Sequence, residues 1–265
     1  MVLVPFVLAW DILLNIGNAV LPKRKKGKVV RPGHAGVGGK WPEFIAPTEG
    51  DSRCSCPALN AMSNHGILPR DGKNITFKQL NALIQETYNF SPSFCFMVPH
   101  IGASMLKKSY WKDSFNLADL DLHNGIEHDA SLTRLDTHLN RNQAPPHLPF
   151  VKELLESATG RDEDGNPLLT EADVSRMLVK RRKEAEVANP HYTTSKFHEV
   201  FGASNASTLL TIFGGRVADL EAILIDEKLP EGWESRILEH FGLTVIAFNK
   251  VVSRVGKGTE GEKKE

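Results

Sequence analysis

The chain has 265 residues, 41% of them hydrophobic and 24% charged. That is the usage of a globular protein able to bury its own core, and it excludes a disordered chain, a collagen and a coiled coil. Its 32 basic residues balance 32 acidic ones and its cysteines number 3, so neither a nucleic-acid-binding protein nor a disulfide scaffold is indicated.

The zero net charge conceals an asymmetry. Residues 2–21, VLVPFVLAWDILLNIGNAVL, form an apolar run of bilayer length, broken by Pro5, Asp11, Asn15 and Asn18. Basic residues follow at Lys23, Arg24, Lys25, Lys26, Lys28, Arg31 and Lys40 with no acid among them, which leaves residues 41–265 at about −6. Positive charge after the apolar run, instead of before it, favours a signal anchor over a cleaved secretory signal. The expectation is a membrane-anchored, endomembrane protein held through residues 2–21, with residues 1–40 as hydrophobic anchor and basic linker. An interfacial amphipathic helix is the alternative, because Asp11 is costly at mid-span.

Residues 34–50 are rich in Gly and Pro and read as an extended linker. Helical signals then dominate. Pro57 suits the first position of a helix over ALNAMSNHG. Thr76 caps FKQLNALIQETY, and Thr170 caps EADVSRMLVKRRKEAEVA, which Asn189-Pro190 stops. STLLTIFGG ends on a glycine pair, and VADLEAILIDEKL and ESRILEHFGLTVIAFNKVVSRV read as further helices. Period-two alternation and βαβ rhythm are absent. The fold class is mostly α, in a single helical domain over residues 41–250, and residues 251–265 read as a disordered charged tail.

Two clusters carry chemistry. Cys54 and Cys56 stand too close together for a comfortable disulfide, and no second pair completes a zinc site. Cys56 precedes Pro57 at a helix start, where backbone N–H groups favour a thiolate; an inert buried thiol is the plain alternative. The second cluster is NGIEHDASLTRLD. Glu127 and the Ser131 hydroxyl are oxygen donors suited to Mg²⁺, and His128 can transfer protons; an acidic loop capping the next helix is the alternative.

Taken together, SRCSCPALNAMSNHGILPRDGKNIT and LADLDLHNGIEHDASLTR resemble the fungal heme-thiolate peroxidases, the chloroperoxidase and unspecific peroxygenase family, in its short branch. The matching residues are Cys56-Pro57, Asn60, Asn64-His65-Gly66, Leu68-Pro69-Arg70-Asp71-Gly72 and the complete Glu127-to-Ser131 motif; Ser55 departs from the usual Pro. The resemblance runs over residues 41–240 and includes DEKLPEGW near the end. It implies a helical domain enclosing one heme b, with Cys56 as axial thiolate. It also implies a Mg²⁺ held by Glu127, the His128 carbonyl and Ser131, and hydrogen peroxide acting with a small apolar organic substrate. The family's distal Glu aligns with Asn205, and an amide cannot exchange a proton at neutral pH. Glu199 lies six residues earlier and should point elsewhere. The function expected is therefore a peroxidase or peroxygenase with altered distal acid–base chemistry, suited to a specialised biosynthetic oxidation. The alternatives are a membrane-tethered heme-binding protein with little turnover and a non-heme, Mg²⁺-binding helical interaction domain.

Overall fold

The computed structural model describes residues 3–262. In chain order its helices are α1 (Leu3–Val20), α2 (Pro57–Asn64), α3 (Phe77–Tyr88), α4 (Pro92–Met105), α5 (Leu148–Glu156), α6 (Glu171–Ala188), α7 (Lys196–Phe213), α8 (Val217–Ile225) and α9 (Val245–Glu262). Two antiparallel pairs of two-residue strands, Ile75–Thr76 with Ser114–Phe115 and Gly160–Arg161 with Pro167–Leu168, are the only sheets among the described residues. The mostly α, single-domain reading holds.

Local chemistry sets several of these boundaries. Thr76 accepts the Gln79 N–H at 3.1 Å and starts α3. Thr170 and Asp173 form a reciprocal capping box that starts α6, and Asn189 ends it. Helices α6 and α7 both pack on α9, α3 on α4, and α5 on α8. A single apolar core joins them, in which Trp233 stacks on Phe213 at 4.9 Å and meets Tyr88 edge-on.

Three expectations are corrected. The helix read from Glu234 begins only at Val245. Glu234 instead turns its carboxylate to the N–H groups of Val29, Val30 and Gly38, and Gly242 adopts a positive φ where an added Cβ would stand 2.5 Å from the Asn89 carbonyl oxygen. The tail read as disordered is helical from residue 251 to 262, because Ser175 donates to the Val255 carbonyl and Gly258 lets α9 approach Ser175. Residues 263–265 lie outside the described residues. Helix α7 is also longer than STLLTIFGG, starting at the Ser195 cap.

The N-terminal segment departs furthest from its expectation. Among the described residues no helix is long and apolar enough to cross a membrane. The polar residues that break the apolar run dock α1 onto the body. Asp11 is fully buried and accepts the N–H groups of Val245 and Ile246, both at 2.9 Å, together with the Ser93 hydroxyl. It thereby caps α9 from another helix, satisfying first-turn donors that α9 cannot satisfy itself. Asn15 accepts from Thr244, and Asn18 bonds both Phe241 N–H and the Gly242 carbonyl. Gly17 is required by close approach, since a Cβ there would stand 2.5 Å from the Phe241 ring. The stretch read as an extended linker is extended only after residue 39: residues 34–39 turn into a short 3-10 helix, Val37–Gly39, with Gly36, Gly38 and Gly39 at positive φ. It is also tied down, with the Trp41 indole donating to the Trp233 carbonyl at 2.8 Å.

Candidate active site

A cavity of about 370 Å³ opens between α2, α4, α7 and the loop carrying residues 126–133. Its walls are chiefly apolar, with Phe77, Leu80, Ile84, Leu209 and Ile212 among them. Val98 and Ile101 of α4 both line it and face solvent, giving it an apolar rim.

Cys56 lines this cavity and Cys54 does not. The reason is local. Asn60, one turn into α2, accepts the Cys54 N–H at 3.0 Å and donates to the Cys54 carbonyl at 2.7 Å, which folds Cys54 inward and fully buries it. Cys56 then becomes the N-cap of α2, with Pro57 behind it. Burial pushes its thiol up, while the Leu59 and Ala58 N–H groups and the Arg134 charge pull the other way. Burial drives the Cys54 thiol further up still. Cys95 is buried in the core and is likewise pushed up by burial.

A charged network backs this loop. Glu227 is buried, accepts from Asn60 at 2.8 Å and pairs with the buried Arg134, also at 2.8 Å. Burial raises the Glu227 carboxyl, against the pull of Asn60 and Arg134. Arg134 also donates to the Gln143 and Ala144 carbonyls and to Thr133. Arg53 clamps Asn64 with two hydrogen bonds, and Arg70 donates to the Asn64 carbonyl. His65 is structural. Its Nδ1–H donates to the Pro42 carbonyl at 2.6 Å and its Nε2 accepts the Leu229 N–H at 3.1 Å.

The second cluster reaches the same cavity through Glu127, His128 and Ser131. Ala130 takes a positive φ, and its N–H donates to Asp136, which also holds Asn189. This tight turn brings His128 against α7, where Gly202 leaves room; a Cβ there would stand 3.3 Å from the imidazole. His128 Nδ1 lies 2.7 Å from the Asp129 carbonyl, an acceptor only, so Nδ1 carries the proton. Nε2 is then a lone pair, and the Asn205 amide donates to it at 3.3 Å. Burial lowers the His128 pKa, against the pull of the Asp129 carbonyl. Asn205 lines the cavity, whereas Glu199 faces a small polar recess behind His128, beside Arg182 and His198.

Glu127 accepts on one oxygen only, from His123 at 2.7 Å and Thr137 at 2.8 Å. Its other oxygen makes no hydrogen bond among the described residues. Ser131 accepts the Thr133 N–H at 3.3 Å. No group of three or more His, Cys, Asp and Glu side chains that could hold a metal occurs among the described residues. Sequence reading missed the Arg134–Glu227 pair, although both residues lie inside stretches that carried the resemblance.

A family model described as Peroxidase, family 2, matches residues 42–237. The chain belongs to this family. The resemblance drawn from the Cys-Pro and Glu-His-Asp motifs is thereby borne out. Among curated relatives, the dothistromin biosynthesis peroxidase of Dothistroma septosporum is 27% identical over 198 residues, covering 68% of this chain and 46% of its own length. An aromatic peroxygenase of Coprinellus radians is 26% identical over 176 residues, covering 59% of this chain and 65% of that protein. A chloroperoxidase of Leptoxyphium fumago is 35% identical over 97 residues, or 35% of this chain and 26% of that one. The chain thus spans less than half the length of the first of these relatives. Heme is the cofactor the family implies, and the cavity fits it: its walls are chiefly apolar, and Cys56 lines it from a helix N-cap.

Proposed function

We propose that the protein is a heme-thiolate peroxidase or peroxygenase that uses hydrogen peroxide to oxidise or oxygenate a small apolar organic molecule. The observation that carries this reading is that Cys56, His128 and Asn205 line one apolar cavity. Bound heme would supply iron-centred cleavage of the peroxide O–O bond, which an axial thiolate favours. Cys56 would hold the iron, since a thiol that coordinates a metal is deprotonated outright.

The peroxide must lose a proton from one oxygen and receive it on the other, which calls for a proton-transfer group facing the cavity. His128 fills that role through its Nε2 lone pair. Asn205 holds the ring with its amide and takes no part in proton transfer, because an amide does not titrate near neutrality. The apolar walls limit water near the reacting atoms and favour substrates without charge. The reaction suits a specialised biosynthetic oxidation in which fast peroxide cleavage is not limiting. A heme-binding protein with little turnover is the second reading, favoured by the lack of a carboxylate at position 205.

For Mg²⁺ we propose the set implied by the resemblance: the free oxygen of Glu127, the His128 carbonyl and the Ser131 hydroxyl. Waters or a bound anion would complete the shell. Glu127→Gln should then weaken heme retention during dialysis against a chelator, read from the Soret absorbance.

The deciding experiment is the reduced, CO-bound absorption spectrum of the full chain beside Cys56→Ala and Cys54→Ala. A strongly red-shifted Soret band, lost in Cys56→Ala and kept in Cys54→Ala, is expected. No Soret band after heme reconstitution would overturn the reading. The full chain is needed because removing α1 would strip Val245 and Ile246 of their Asp11 cap.

A further inference from the structure

Helix α1 has its amphipathicity reversed. The face carrying Val7, Asp11, Asn15 and Asn18 turns toward the protein, and three of those four side chains are polar. The outward face carries Phe6, Leu13, Ile16 and Val20, exposed by 72, 67, 55 and 75%. These positions recur at helical spacing and form one stripe. Trp10 continues it through an edge contact with Phe96 to the exposed Trp111, over which Lys78 sits at 5.1 Å. A stripe of this kind is uncommon on a monomer that meets only water.

The segment after it is basic. Lys23 is offset by Glu239, and Arg24 turns back to the His240 and Val29 carbonyls. Lys25, Lys26, Lys28 and Arg31 are exposed and take part in no ion pair among the described residues. Val20 and Leu21, both exposed, lead directly into this cluster, so apolar and cationic surfaces adjoin. The rest of the chain is net acidic, which confines attraction for an anionic partner to this end.

We propose that α1 and the basic segment seat the protein on an anionic phospholipid bilayer, with α1 lying in the interface and not crossing it. An interfacial helix sinks its apolar face by about 5–10 Å while its other face stays polar. Here the polar face is already satisfied by the protein, so insertion leaves no polar side chain unpaired in lipid. Aromatic residues such as Trp10 and Trp111, with lysine nearby, match the chemistry of the headgroup region. Each basic residue near an anionic surface strengthens binding by a factor of about five. The inference goes beyond the proposed catalysis and does not depend on heme.

The test is co-sedimentation of the full chain with vesicles of phosphatidylcholine alone and of phosphatidylcholine with phosphatidylserine. Wild type should bind the anionic vesicles and be released by alkaline carbonate. Leu13→Glu with Val20→Glu, and separately Lys25→Glu with Lys26→Glu, should each weaken binding by about tenfold or more. High salt should weaken wild type and have less effect on the lysine variant. All four positions are exposed, and circular dichroism with thermal melts verifies that the variants fold. Equal or absent binding to both vesicle types would overturn the proposal, as would variants that bind like wild type or resistance to carbonate. A lipid-free dimer in sedimentation velocity that Leu13→Glu dissolves would assign the face to a second copy and overturn it too.

Discussion

The Cys56 wall of the cavity is held by buried charge, whereas the His128 wall depends on a helix 77 residues later in the chain. On the first side, Asn60, Glu227 and Arg134 fix the loop through hydrogen bonds at or below 3.0 Å, all of them shielded from solvent. On the second side one contact at 3.3 Å joins His128 to Asn205. A buried ion pair tolerates little change because removing one partner strands the other charge. The single amide–imidazole contact strands no buried ion when it is lost and tolerates more. The comparison therefore assigns rigidity to the loop that carries the Cys56 thiol, and adaptability to the wall that carries His128 and Asn205.

The largest expected effect is at Cys56. Substitution by Ala should abolish the thiolate-type spectrum entirely, and Cys54→Ala should leave it in place, measured as the CO difference spectrum. Next, His128→Gln should lower peroxide-dependent turnover by about 10²–10⁴-fold if the imidazole transfers the proton. Steady-state kinetics at saturating peroxide check this. Breaking the network behind the thiol should be felt as stability. Arg134→Met should cost about 3–5 kcal/mol by stranding Glu227, seen in urea melts, and Arg134→Met with Glu227→Leu should recover part of that loss.

A smaller effect is expected at Asn205→Glu, which should raise peroxide-dependent activity several-fold by adding a titratable group beside His128. Unchanged activity would mean that position 205 is not the place from which a carboxylate acts on the peroxide. The last prediction lies outside both walls and serves as a control. Burial works against ionisation of Asp173, yet the Thr159 and Thr170 N–H groups and Arg176 prevail and hold its carboxyl at about 2. With the folded pKa below the unfolded one, its stabilisation is present above about pH 4 and is lost as the pH falls toward 2. Asp173→Asn should remove that acid limb and cost about 1–2 kcal/mol near neutrality, with the CO spectrum unaltered.

The sequence showed most where chemistry is local. Caps at Thr76 and Thr170, Pro57 at a helix start and the Glu127-to-Ser131 motif all depend on neighbours within a few residues, so spacing reveals them. Choosing Cys56 over Cys54 by residue pattern alone was weaker; it rested on Pro57 and on the resemblance. The roles of Arg134 and Glu227 were hidden because their partners are 93 residues apart in sequence. The pattern at residues 234–244 overstates helix continuity for a related reason. The helical pattern is present there, but Glu234 and Gly242 answer to the N-terminal segment and to Asn89.

The sequence by itself determined the helical class, the family motifs and the absence of a carboxylate at position 205. Each of these is a property of residue type and short-range spacing. Only the tertiary structure decided that Asn205 meets the His128 lone pair, that Arg134 and Glu227 brace the thiol loop, and that Asp11, Asn15 and Asn18 turn inward. An apolar run with polar breaks looks alike along the chain whether it enters a bilayer or docks on a domain. The partners that satisfy its polar groups lie more than 200 residues away for Asn18, and burial of those groups becomes favourable only once the partners are in place.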